Sequence, residues 1–147
     1  MARPRRLGRV SPGVTDILVL DADGVTKAAA GDKRVAAWLE RARELDADVI
    51  VSAVTIAEVV RGVPGDAKVN RVVKAAAIVP ADEAIGRNAG ALLGRARSRA
   101  TVDAVVAATA SAALERLAAS RCIVLSSDPG DLRALLANEP AVQVIPV

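Results

Sequence analysis

Two short apolar runs, ILVLD at residues 17–21 and CIVLSSD at residues 122–128, each close on an aspartate. Runs of Val, Ile and Leu this short and continuous read as strands buried on both faces of a parallel sheet. In an open α/β sheet, ligands bind outside the carboxyl ends of the strands. Asp21 and Asp128 can therefore converge although they lie far apart in the chain. Carboxylates brought together repel one another and raise each other's pKa. A hard divalent cation relieves that conflict, and oxygen donors suit Mg²⁺ or Mn²⁺. The pattern thus points to an acidic metal site at the edge of a parallel sheet.

The rest of the chain alternates strand and helix. Residues 17–21, 48–52, 77–80, 122–126 and 142–147 read as strands. Helical stretches are expected from the DADG turn to near Gly31, over 33–45, through TIAEVVRG, over 66–76, through DEAIGRNAGALLGRARSRA, over 102–118 and from Pro129. Gly62, with Pro64 just beyond, stops the third of these. Gly86, Gly90 and Gly94 recur on one helix face, and close helix–helix approach would explain them. The fold class is α/β: a three-layer arrangement with a largely parallel sheet of about five strands flanked by helices. No internal repeat or low-complexity tract divides it. Residues 16–147 form one expected domain and residues 1–15 a basic N-terminal tail.

Composition narrows the chemistry. The chain has no His, one Cys, one Trp and neither Phe nor Tyr. Ser-His-Asp and Cys-His catalysis are excluded, as is a His-ligated metal. Cys122 lies within an apolar strand run and reads as a buried structural thiol. The core must come from Ala, Val, Leu and Ile. The net charge of +3 is more than accounted for by Arg3, Arg5, Arg6 and Arg9, so the body of the chain is slightly acidic. The tail could touch nucleic acid phosphates or simply be solvated. No apolar run approaches the ~18–20 residues needed to span a bilayer, and a soluble cytoplasmic protein is expected.

Each acid also has a plainer reading. Asp21 could cap the next turn, although Asp23, two residues on, can reach the same strand end. Ile56, Val59, Val60 and Val63 make an apolar stripe from which Glu58 points away, so an exposed pair with Arg61 explains Glu58 cheaply. Asp103 follows Thr101, and a Thr cap with an acid in the first turn is ordinary helix stabilisation. Asp128 precedes Pro129 and could cap that helix. Asp131 reads as a first-turn acid.

In this order, VLDAD, TIAEVVRG, VDAVVAATA and LSSDPGDLRAL resemble the successive motifs of PIN-domain ribonucleases, with VapC-type toxins of bacterial toxin–antitoxin pairs the nearest group. The resemblance covers residues 17–147. It implies a metal-dependent ribonuclease whose Mg²⁺ or Mn²⁺ is held by Asp21, Glu58, Asp103 and Asp128, with Ser126 as the family's small hydroxyl residue. It also implies a VapB-like antitoxin partner and a homodimer. Asp23 departs from the Ser or Thr common there, and the stretch between Asp103 and Asp128 is longer than usual. Arg87, Arg95, Arg97 and Arg99 are candidates to hold RNA phosphates, or else a solvated helix face. Two other readings compete. VLDADGVT also resembles the first motif of haloacid-dehalogenase-like phosphatases, with Asp21 as nucleophile, Asp23 as general acid and Ser52 as the second motif. The chain could instead be a PIN-shaped binding protein without catalysis.

Overall fold

The computed structural model describes residues 17–147. The arginine-rich tail, with Arg3, Arg5, Arg6 and Arg9, lies outside the described residues. Five strands form one all-parallel sheet in the order β3-β2-β1-β4-β5. They are β1 (Ile17–Leu20), β2 (Asp48–Ser52), β3 (Ala77–Val79), β4 (Cys122–Ser126) and β5 (Val142–Pro146). The helices are α1 (Ala22–Ala29), α2 (Lys33–Glu44), α3 (Ala53–Val59), α4 (Ala67–Ala75), α5 (Glu83–Ala96), α6 (Thr101–Arg116) and α7 (Pro129–Leu135). Among the described residues none is long and apolar enough to cross a membrane.

Strand alternation sorts the core into two layers. Ile17, Val19, Ile50, Cys122 and Val124 face α5, α6 and α7. Leu18, Leu20, Val51, Ile123 and Leu125 face Val25 of α1 and Val35 and Ala42 of α2. The middle strands β1 and β4 are buried from end to end, as their unbroken apolar runs require. Helix α6 carries the small-residue face: Ala104, Ala107, Ala108 and Ala110 are fully buried against the sheet. Burial pushes the Cys122 thiol up to about 12, which leaves it protonated and inert.

Three local expectations are corrected. Gly86, Gly90 and Gly94 do share a face of α5, but that face is exposed, and a methyl group at any of them would meet nothing within 4 Å. The α5–α6 contact is made from other positions, Ile85 and Ala89 among them. Helix α3 ends at Val59, so Val63 leaves the stripe and stands 53% exposed. The N-cap of α6 is Ala100 rather than Thr101, and no side chain caps it.

The chain steps from β1 through β2 to β3 on one side, then returns to place β4 and β5 on the other. The reversal falls between β1 and β4. At such a switch point the connections leave in opposite directions and open a crevice above the carboxyl ends.

Candidate metal and phosphodiester site

Asp21 and Asp128 stand at that crevice. Asp21 is the first residue past β1 and caps α1, its Oδ1 accepting from Gly24 N at 2.8 Å. Its own N–H donates to Leu125 O at 3.3 Å, joining the ends of the two strands. The Ser126 hydroxyl donates to the Asp21 carboxylate and accepts from Asp128 N–H at 3.2 Å. A buried serine thus links the two aspartates. Asp21 is only 8% exposed. Burial pushes its carboxyl above the usual range, opposed by the hydrogen bonds from Ser126 and Gly24, while the charge of Asp23 adds to the rise.

Gly24 is what lets α1 sit this close. A Cβ there would lie 3.2 Å from Leu125 O and 3.5 Å from Asp21 Oδ1. The glycine in DADG therefore serves a close approach rather than an unusual backbone angle.

The other acids arrive on helices. Helix α3 leaves β2 directly and lies against α1 and α6, which turns Glu58 toward the crevice. The Glu58 carboxyl is raised first by partial desolvation, then by the charges of Asp103, Asp21 and Asp23. Asp103, in the first turn of α6, is half-buried and raised by burial, then by Asp131, Asp21, Asp128 and Asp23 in that order. Mutual influence of this kind needs proximity. Asp103 thus lies within electrostatic reach of Asp21, Asp23, Glu58, Asp128 and Asp131. Asp131 is the acid whose charge acts on Asp103 most, which periodicity hid: a first-turn position says nothing of the neighbouring helix.

Two of the plainer readings fail here. Arg61 makes no ion pair with Glu58 within 4 Å, although its charge opposes the rise of the Glu58 carboxyl. Its guanidinium donates instead to the carbonyls of Ala57 and Val60 at 3.1 Å and of Glu58 at 2.6 Å, closing the end of α3. Asp128 precedes α7 but makes no capping bond with its side chain. The Asp21 cap, by contrast, is real and coexists with its place in the crevice.

Sequence reasoning missed the support behind α3. Asp66, 7% exposed, accepts with Oδ2 from the N–H groups of Arg61 (2.9 Å), Gly62 (2.7 Å) and Val63 (3.2 Å). These bonds hold its carboxyl below the usual range. The GVPGD spacing carries the signal, since Gly62 takes a φ of +74° and lets the chain fold back on Asp66.

The arginines are not gathered. Arg87 is engaged with Glu83 at 2.8 Å on the exposed face of α5. Arg95 lines a hollow between α5, α6 and α7 with Asn88 and Glu139. Arg97 ends α5 in the left-handed region, and Arg99 follows in the turn that delivers Asp103. Ser52, the rival second motif, is fully buried and accepts from Val54 N at 3.3 Å.

The donor chemistry suits a hard divalent cation: oxygens only, on three carboxyls raised first by burial and then by neighbouring negative charge. Among the described residues, no three of these side chains are already drawn together into a cage for an ion.

No family model matches the chain, and no curated protein matches it. Solved structures do. A toxin–antitoxin complex from Klebsiella pneumoniae superposes with a TM-score of 0.63 at 19% identity, over 88% of this chain and 99% of the matched one. VapBC2 from Rickettsia felis, bound to a DNA fragment from its promoter, gives 0.67 at 12% identity, over 89% and 98%. The fold is PIN-like: among the described residues, an all-parallel five-stranded sheet flanked by seven helices.

Proposed function

We propose that this chain is a VapC-type toxin, a Mg²⁺- or Mn²⁺-dependent ribonuclease whose site is Asp21, Glu58, Asp103 and Asp128, supported by Asp23 and Ser126. The observation that carries the reading is the convergence of acids from β1, α3, α6 and the β4–α7 junction on one switch-point crevice. Bound there, the cation would supply charge neutralisation on the scissile phosphate and lower the pKa of a water. The protein's part is placement. Asp21 is the fixed ligand, held by Gly24 and Ser126. Glu58, Asp103 and Asp128 are the ligands free to adjust. Ser126 keeps the strand ends in step. Arg97 and Arg99 border the turn into Asp103, where they would meet RNA phosphates; Arg95 and Arg87 stand further along α5.

The partners proposed are RNA as substrate, a VapB-like antitoxin and a second copy of the chain. One of the similar structures is a toxin–antitoxin complex, which supports the antitoxin. The test uses the purified full chain on structured RNA. Cleavage is expected with Mg²⁺ or Mn²⁺ and none with EDTA. Undiminished cleavage in EDTA overturns the metal mechanism. Turnover of a small aryl phosphate that depends on Asp21 and ignores Glu58 would favour the phosphatase. Mn²⁺ binding without RNA cleavage would favour a binding protein.

A further inference from the structure

Thr55 is fully buried, and its Oγ1 has no hydrogen-bond partner. It is the one buried side-chain polar atom among the described residues left in that state. A helical threonine usually disposes of its hydroxyl on the carbonyl four residues back. Thr26 does so on Ala22 O at 2.9 Å, and Thr109 on Val105 O at 2.7 Å. Thr55 does not. Four residues before it lies Val51, the last residue but one of β2, in register with Leu20 on one side and Ile78 on the other. Burying a hydroxyl without a partner is costly, so such a group calls for an explanation.

Its place supplies one. Thr55 precedes Glu58 by three residues, so the two side chains share a face of α3 one turn apart. The Glu58 carboxylate lies within electrostatic reach of Asp103, Asp21 and Asp23, and α3 lies against α1 and α6, which carry two of those acids. Helical side chains lean toward the N-terminus, so Glu58 leans toward the turn that holds Thr55. No hydrogen bond holds the Glu58 carboxylate, which is exposed. A buried donor without an acceptor therefore stands one turn beneath an exposed acceptor without a donor.

We propose that Thr55 is a positioning residue of the acidic site: its hydroxyl donates to the Glu58 carboxylate, directly or through one water, when Glu58 turns inward to bind the cation. The inference rests on the metal-site reading above and adds a residue to it. Thr55 touches neither cation nor RNA, and it acts through Glu58.

The test is Mn²⁺ binding to the full chain by calorimetry, with thermal melting of the metal-free protein alongside. Thr55→Val keeps the shape and removes the hydroxyl. Its metal-free melting temperature is expected to equal or exceed that of the wild type, while its Mn²⁺ affinity falls by roughly 10–100-fold, as for other outer-shell partners. Thr55→Ser restores the affinity. Adding Thr55→Val to Glu58→Gln gives no further loss, because the hydroxyl then has no carboxylate to hold. Wild-type Mn²⁺ affinity in Thr55→Val overturns the proposal, as does full additivity in the double variant. If Thr55→Val does not fold, Thr55→Ala against Thr55→Ser makes the same comparison. A wild-type chain that takes up no Mn²⁺ sinks the metal site itself, and the proposal with it.

Discussion

The two halves of the acidic crevice are built differently. The strand half, Asp21 with Ser126, is buried and tied by hydrogen bonds to Gly24 N, Asp128 N and the end of β4. The helix half, Glu58 and Asp103, is more exposed, and these carboxylates sense the other acids through charge rather than through bonds. One half is preorganised and the other adjustable. A site for a hydrated hard cation is served by that division: a fixed ligand sets position, and movable ones complete a shell of varying composition.

The hardest blow to this division is the loss of the fixed ligand. Asp21→Asn is expected to lower RNA cleavage by roughly 10²-fold or more, as is usual when a preorganised electrostatic group is removed. Asp103→Asn should fall by a similar factor, and circular dichroism should show both folds intact. Equal, small losses in the two variants would mean that neither carboxylate holds the cation.

Next comes the packing that fixes the strand half. Gly24→Ala pushes a methyl group toward Leu125 O and Asp21 Oδ1, and overpacking of this kind costs about 1–3 kcal/mol. Chemical denaturation measures it. Gly90→Ala, in open space on α5, should instead be neutral or slightly stabilising.

The pH dependence of stability separates the halves more finely. Asp21, Glu58 and Asp103 have folded pKa values raised above their ordinary ones. Each therefore contributes stability that is fully present below the ordinary carboxyl pKa and is lost as pH rises through the raised folded value. Asp66 and Asp32 have lowered values and run the other way, contributing stability above the ordinary pKa that is lost as pH falls through the folded one. The informative quantity is thus a difference between variants. In metal-free melts, Asp21→Asn should gain on the wild type as pH rises across the window above 3.8. Ser126→Ala, which removes a bond to the charged carboxylate, should lose on it over the same window. Parallel wild-type and Asp21→Asn curves would show that Asp21 is not strained by its burial.

The smallest effect is expected from Arg87→Ala. Its pair with Glu83 is exposed and spaced i,i+4, so denaturation should register less than about 0.5 kcal/mol.

Much of this was legible in advance, for reasons particular residues make plain. The runs at 17–20 and 122–126 have no polar interruption, and only a doubly covered strand tolerates that. Their order and the helices between them then leave few topologies, and Asp21 and Asp128 follow from strand ends alone. Residues whose meaning is tertiary were harder. Glu58 faces Asp103 because α3 packs on α6, a fact outside the period of its own helix. Asp131 influences Asp103 across two elements. Gly86, Gly90 and Gly94 show that periodicity identifies a shared face but not whether anything covers it. Thr101 looked like a cap because its residue type suits one, yet the helix begins a residue earlier. The resemblance to PIN-domain nucleases supplied the grouping that no single segment contains.

Trp38 carries a consequence of another kind. It lines a hollow of about 350 Å³ with Leu18, Ala42, Leu45 and Ile123, beside the amino ends of β1 and β4. The acidic crevice opens at the other end of those strands. With one Trp and no Tyr, nearly all the near-ultraviolet signal of the protein belongs to that one indole. Its emission is a probe of how α2 seats on the sheet and a poor probe of the crevice. Cation uptake that leaves the fluorescence unchanged is what this geometry dictates, and a spectral change on adding Mn²⁺ would report motion carried through the whole sheet.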